Sequence, residues 1–282
     1  MSETPFFLPL LLQSALLPLG VALAVLAGAR AARVDATASL LAVLAGLLAS
    51  YFVTMRAQWS LVPKVALDWL PWITVAVALA AMAVDRLPRA AARIAVRSLL
   101  SLGIGALVVS GAVASLGPQK AALSALVIGL VLSVLWTFSA RPAQGPATRP
   151  LLLMVVAGGT GLALMLDSSQ SMGQLSGALA MTLSACTLFA LTRPATPFAN
   201  AAAATSMVVL GTLLAMAHVY SGFSLGYVAL LAGGLLIEPV LALVRRSGKG
   251  GLPWMPAAVL TAIPVLVTVA LAVKAMQETG GY

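Results

Sequence analysis

Long apolar runs, separated by short charged or Pro- and Gly-rich breaks, divide this chain into ten segments. Continuous runs of this kind are typical of helices that cross a lipid bilayer. A spanning helix needs about 20 apolar residues, and the third and sixth runs are the shortest. The predicted segments are 6–28, 37–55, 69–84, 98–117, 121–138, 150–166, 174–191, 200–220, 223–244 and 255–273.

The composition agrees with a membrane protein. Hydrophobic residues make up 61% of the chain and charged residues only 8%, whereas a soluble domain carries about 25% charged residues. This excludes a soluble globular protein, a disordered chain and a nucleic-acid-binding domain. The ten segments leave room for short loops but for no soluble domain. We therefore predict an all-α, polytopic transmembrane helical bundle that forms one integral membrane domain over 1–282.

The basic residues are distributed unevenly between alternate loops. Of the 16 Lys and Arg residues, twelve follow odd-numbered segments and four lie elsewhere. Because cytoplasmic loops are enriched in Lys and Arg, this predicts a bacterial-type inner membrane protein with both termini on the non-cytoplasmic side. It also explains the net charge of +9 without a nucleic-acid partner. The twelve are Arg30, Arg33, Arg86, Arg89, Arg93, Arg97, Arg141, Arg149, Arg193, Arg245, Arg246 and Lys249.

Ten spans divide into halves of five, 1–140 and 150–282. Two odd-numbered halves have opposite orientations in the membrane, an arrangement that is common in secondary transporters. Because the residues of the two halves do not match, this five-plus-five inverted repeat rests on the count of segments alone.

Glu238 is the most informative residue, because a charged group inside a span costs about 2.5–3.5 kcal/mol on insertion scales. Pro239 follows it and removes a backbone donor, while Gly233 and Gly234 precede it. These four residues predict a helix that can kink beside an acid, which suits a proton or cation transport site. The alternative is a structural carboxylate paired with an arginine, for which Arg245, two helical turns away, is the candidate.

A polar loop, Asp167–Gln174, follows the sixth segment. Asp167 and Gln174 are candidates for an outer vestibule or ligand mouth. The alternative is structural: Ser171 and Gln174 have the spacing of a capping box for the seventh segment, and Asp167 then only marks the membrane interface.

Two further clusters are candidates for contacts with lipid headgroups or with a partner. Arg86, Arg89, Arg93 and Arg97 have helical spacing, which predicts one basic stripe at the cytoplasmic face that attracts anionic headgroups or an acidic partner. Trp59, Trp69 and Trp72 lie in or beside the longest external connection, where an interfacial aromatic belt, a gate or a partner surface would fit.

Few residues could carry enzyme chemistry. The single histidine, His218, the single cysteine, Cys186, and the lack of paired intramembrane acids disfavour an enzyme, and no metal or cofactor is predicted. Ser247–Gly251 lacks the full phosphate-loop pattern, so neither nucleotide nor nucleic acid is expected as a partner.

Two functions remain: a secondary transporter or permease with Glu238 as a proton- or cation-linked site, or a non-catalytic structural or accessory subunit of a larger membrane complex. Small-residue spacings, as in Gly173-x-x-x-Gly177, favour close helix packing within the chain or against other subunits. A transporter predicts that intramembrane polar residues converge with Glu238 on one cavity. A subunit predicts that they bond to backbone and that an outward face is rich in Ala and Gly. These polar residues are Gln13, Ser14, Ser133, Thr160, Thr182, Ser184, Thr187, Thr205, Thr212 and Glu238.

Overall fold

The computed structural model describes residues 9–56, 60–141, 145–192, 198–244 and 254–278, and their regular structure is entirely helical. Ten helices correspond to the ten predicted segments. They are α1 (Leu17–Ala31), α2 (Asp35–Thr54), α3 (Leu70–Val84), α4 (Ala90–Ser110), α5 (Pro118–Ser139), α6 (Thr148–Asp167), α7 (Gln170–Thr192), α8 (Asn200–Ser221), α9 (Leu225–Val244) and α10 (Trp254–Glu278).

Short helical turns complete this architecture. A π-helical turn, Leu12–Leu16, leads into α1, a 3-10 turn, Ala66–Trp69, leads into α3, and a four-residue helix, Val113–Leu116, precedes α5. In the part of the chain that the structure describes, nine helical stretches are long and apolar enough to cross a membrane, and α9 contributes a shorter apolar stretch, Leu225–Leu241. The chain is a multi-pass membrane protein built as a helical bundle.

Two of the predicted segments begin after an arginine that the structure places inside the helix. The structure starts α4 at Ala90 instead of 98 and ends it at Ser110 instead of 117. It starts α6 at Thr148 instead of 150. A prediction from hydropathy ends a span at an arginine. Arg97 and Arg149 nevertheless lie inside these helices, because each pairs with a carboxylate. With its leading 3-10 turn, the third span also reaches full length, so neither the third nor the sixth span is short.

Helix α8 lies at the centre of the bundle. Every residue from Ala201 to Ala217 is buried, and α8 contacts α2 through α7 as well as α9. Its Ala-rich first half lets these neighbours approach closely, since small side chains keep helix axes near one another. The helices that contact α8 therefore surround it, and the outer faces of the bundle are presented to lipid.

The five-plus-five repeat stays a prediction. Consecutive helices pair in both halves, α1 with α2 and α6 with α7, and α4 with α5 and α9 with α10. The two middle helices nevertheless differ, because the α3 span is 50% buried and the α8 span is 89% buried.

Close contact between α4 and α5 depends on two glycines. A Cβ at Gly105 would overlap the Ala125 carbonyl oxygen and lie 2.9 Å from the Gly129 nitrogen. A Cβ at Gly129 would lie 2.7 Å from Leu102 Cα. Both neighbours are backbone atoms, so a side chain at either position requires the helices to separate.

We predict that Gly105→Ala lowers the stability of the protein while Gly103→Ala does not. Gly103 lies on the same helix, and a Cβ there meets nothing within 4 Å. Overpacking a tight contact costs about 1–3 kcal/mol, whereas alanine in open space favours the helix by up to about 1 kcal/mol. Thermal unfolding of both variants in one detergent measures the difference, and equal stability would contradict this packing.

Candidate functional site

A buried ion pair joins α6 to α9. Arg149 Nε lies 2.9 Å from Glu238 Oε2, and a second guanidinium nitrogen lies 3.2 Å from Oε1. Arg149 is 2% exposed and Glu238 is 3% exposed. This two-bond geometry is the arrangement in which arginine binds a carboxylate most strongly.

Arg149 also binds the end of a third helix. Its remaining terminal nitrogen donates to the carbonyl oxygen of Ser139 at 2.9 Å. Ser139 is the last residue of α5, where backbone carbonyls have no partner within the helix and carry partial negative charge. Arg149 thus holds the end of α5, the start of α6 and the interior of α9 together.

Neither Arg149 nor Glu238 could be buried at its position without the opposite charge of the other. Arg149 belongs to the first turn of α6, the positive end of the helix dipole, where a cation is disfavoured unless an anion offsets it. Glu238 lies fourteen residues into α9, where an unpaired carboxylate would be costly in an apolar surrounding. Each charge therefore makes the burial of the other tolerable.

Very little space surrounds the pair. A cavity of about 10 Å³ borders it, which is room for about one water molecule. Apolar side chains from α6, α8 and α9 enclose this space. Its lining consists of Arg149, Leu152, Leu153, Val156, Met207, Gly234, Leu235 and Glu238.

The other predicted transport residues are divided between the inside and the outside of α9. Gly234 packs against Val156 of α6 and Pro264 of α10, at 3.4 and 3.6 Å from an added Cβ. Gly233 faces open space on the outer side. Pro239 is buried, and α9 remains helical on both sides of it.

The partner of Glu238 is not the one that the sequence suggested. Arg245 lies outside the described residues, and the Glu238 carboxylate forms an ion pair with Arg149 instead. The predicted sixth segment begins at 150 and so leaves Arg149 in the preceding loop. Proline is well tolerated in the first turn of a helix, so Thr148-Arg149-Pro150 was the available signal that α6 starts before the arginine.

Most of the other polar candidates bond to their own helices. Six hydroxyls donate to the carbonyl four residues earlier at 2.6–2.9 Å, a common way to satisfy Ser and Thr in a helix. They belong to Ser14, Thr182, Ser184, Thr187, Thr205 and Thr212.

The remaining polar candidates are also separate from the ion pair. Ser133 binds Ser98 at 2.8 Å, and the buried Thr160 hydroxyl has no hydrogen-bond partner. At Gln13 the backbone carbonyl oxygen accepts from the Ser50 hydroxyl. Of the ten candidates, Glu238 alone lines the small cavity. The polar side chains therefore do not converge.

The predicted outer loop is a two-residue link. Asp167 is the last residue of α6, and α7 begins at Gln170. The N-cap is Ser169, whose hydroxyl oxygen accepts from the Met172 N–H at 3.4 Å. This replaces the proposed Ser171–Gln174 capping box. Gln174 is a buried residue of α7, at 8% exposure, and Asp167 is half-buried.

The predicted arginine stripe is split. Arg86 and Arg89 precede α4 and are exposed, and Arg93 is half-buried in its first turn. Arg97 is 6% exposed and lies 3.4 Å from Asp85. Arg97 thus lies apart from the exposed arginines of the stripe, paired with a carboxylate whose side chain is 44% exposed at the edge of the bundle, and its contact with headgroups or a partner stays a prediction.

The tryptophan cluster is described in part. Trp72 is 48% exposed on α3, and Trp69 is half-buried in the 3-10 turn, while Trp59 lies outside the described residues. The turn is held by Asp68, whose carboxylate accepts from the backbone N–H groups of Lys64 and Val65 at 2.9 and 3.1 Å.

Comparison with models of known protein families gives no match, and comparison with curated proteins gives no significant match. Within the described residues, no group of three or more His, Cys, Asp or Glu side chains could hold a metal ion.

We predict that Arg149→Met and Glu238→Met each destabilise the protein strongly, and that the double variant is more stable than either. Removing one partner of a buried pair costs about 3–5 kcal/mol, because it leaves the other charge uncompensated, whereas replacing both is often close to neutral. Unfolding in detergent measures this cycle. Lys274→Met, at an exposed pair with Glu278, is the control and should change little. Additive effects at 149 and 238 would contradict the coupling.

Proposed function

We propose that this protein is a non-catalytic structural or accessory subunit of a larger membrane protein complex. The proposal is supported by the hydrogen-bond partners of the intramembrane polar side chains. Six of the ten candidates donate to carbonyls of their own helices, and Glu238 is occupied by Arg149. A bundle whose polar groups bind one another suits a scaffold better than a pathway for a solute.

The ion pair supports a static bundle. The guanidinium group of Arg149 connects three helices, because it lies on α6 and donates to Glu238 of α9 and to the Ser139 carbonyl of α5. Moving any one of these helices would leave a charged group without a partner in hydrocarbon. The surrounding cavity has room for about one water. Both features favour one rigid arrangement over alternating conformations.

An outward face of α1 supports a partner. Gly20, Ala24 and Gly28 are spaced by four residues and are exposed, and a Cβ added at either glycine meets nothing within 4 Å. Small residues at this spacing let another transmembrane helix approach closely. The proposed partner is a spanning helix, either of another membrane subunit or of a second copy of this chain.

A secondary transporter, with Glu238 as a proton- or cation-linked site, is the second candidate. The observation that favours it is the position of Glu238 directly before Pro239 in the apolar helix α9, with a water-sized space beside the carboxylate. Separation of Arg149 from Glu238 would free a carboxylate for a proton or a cation.

We further propose a bacterial-type inner membrane and termini on the non-cytoplasmic side. The unequal loop charges support this orientation. The exposed Arg86 and Arg89 and the half-buried Arg93 suit contact with anionic headgroups of the cytoplasmic leaflet.

Purification from native membranes in a mild detergent tests the first candidate. We expect other membrane subunits, or a second copy, to co-purify in fixed stoichiometry, and we expect Gly20→Leu to release them because the leucine fills the approach surface. Gly103→Leu is the matched control, since Gly103 also faces open space but on α4. A wild-type chain that purifies alone as a monomer would overturn the proposal.

Proteoliposomes with an imposed pH gradient distinguish the second candidate. If the protein is a scaffold, vesicles that contain it retain the gradient as long as empty vesicles do, as reported by an enclosed pH-sensitive dye. Gradient loss with the wild type that disappears in folded Glu238→Gln would support transport instead. Gel filtration of the variant before reconstitution checks that it is folded.

A further inference from the structure

A lateral groove lies between α5, α8 and α9, at the end of the bundle where α5 and α9 begin and α8 ends. Its volume of about 300 Å³ is at the lower end of the ~300–1,000 Å³ range of ligand sites. The walls are almost entirely apolar. They include Leu123, Val127, Val131, Ala215, Leu225 and Val228.

The shape of the groove follows from the packing beneath it. Gly211 brings α8 close to α5, since an added Cβ would lie 2.7 Å from Leu132 Cδ2 and 3.0 Å from Leu135 Cδ1. One turn later, the small Ala215 leaves the space open. Val127 is 50% exposed and Val131 is 43% exposed, so the groove opens sideways to the lipid.

Polar groups collect at the mouth of this apolar groove. Ser124 and His218 line it. His218 Nδ1 lies 2.8 Å from the Phe223 carbonyl oxygen, which can only accept, so Nδ1 carries a proton. The other ring nitrogen, Nε2, is then an acceptor and can bind a hydroxyl of a ligand.

A cation completes the mouth. Lys120 is exposed and precedes Ser124 by one turn of α5, so its flexible side chain can reach the same spot. The helices α5 and α9 both begin here, and the positive ends of their dipoles also favour an anion. None of the described residues that line the groove is acidic.

We propose that this groove binds one anionic phospholipid, with an acyl chain between α5, α8 and α9, the phosphate at Lys120 and Ser124, and a headgroup hydroxyl at His218. The apolar walls match a hydrocarbon chain, the sideways opening matches entry from the bilayer, and the positive mouth matches a phosphate. This site lies at the opposite end of the bundle from Arg86 and Arg89. It requires neither of the two proposed functions.

Native mass spectrometry of the delipidated full-length protein tests the proposal, with phosphatidylglycerol and phosphatidylcholine of identical acyl chains as probes. We expect one phosphatidylglycerol to bind in preference to phosphatidylcholine. Val127→Trp, which fills the groove, should weaken this binding by about tenfold, equivalent to ~1.4 kcal/mol. Leu126→Trp is the matched control, because Leu126 is 48% exposed on the same helix but does not line the groove.

The headgroup site has its own variants. Lys120→Gln should weaken phosphatidylglycerol about fivefold and phosphatidylcholine much less, the effect of about one cation near an anionic headgroup. Lys64→Gln, at another exposed lysine, should have no effect. Inorganic phosphate at millimolar concentration should not displace the lipid, since the chain contributes to binding.

Three outcomes would overturn the proposal. Equal phosphatidylglycerol binding by Val127→Trp and Leu126→Trp would show that the lipid does not bind in the groove. Equal affinity of the wild type for the two lipids would show that the site does not recognise an anionic headgroup. Displacement by inorganic phosphate alone would indicate an ion site with no role for the acyl chain.

Discussion

A polar group without a partner is far more costly in hydrocarbon than in water, and this constraint determines how the bundle is built. Arg149 and Glu238 satisfy it by binding each other, and the third guanidinium nitrogen satisfies the last carbonyl of α5. Many Ser and Thr hydroxyls satisfy it by donating to carbonyls of their own helices. Because these solutions need little space, the neighbouring helices can pack closely against the buried, alanine-rich α8.

The helical bundle could be predicted because hydropathy depends on the sum over many residues. Single charges were harder to interpret. Glu238 was identified as an interior residue from its position within an apolar run, but Arg97 and Arg149 were assigned to loops. Whether an arginine ends a span or lies within it depends on a carboxylate outside its own apolar run, 12 residues away for Arg97 and 89 residues away for Arg149. Asp85 and Glu238 provide that partner, and a local reading of the sequence does not include them.

Local capping shows the same limit on a smaller scale. Ser171 and Gln174 have the spacing of a capping box, yet Ser169 caps α7. Several serines in succession offer equivalent caps, and the packing of α6 against α7 decides between them. Gly161 lies in this contact, because a Cβ there would be 3.0 Å from the carbonyl oxygen of Gly173 and from the nitrogen of Gly177. The site was predicted in part: the acid and its depth followed from the sequence, while the closed surroundings depended on tertiary packing.

The two partners of the ion pair are synthesised at different times. Glu238 follows Arg149 by 89 residues, which at about 5–20 residues per second corresponds to roughly 4–18 s of translation. Throughout this interval α6, α7 and α8 leave the ribosome while the guanidinium has no carboxylate from α9. The pairing of the two charges therefore cannot form before α9 has been made, so it is a late step in the assembly of the bundle.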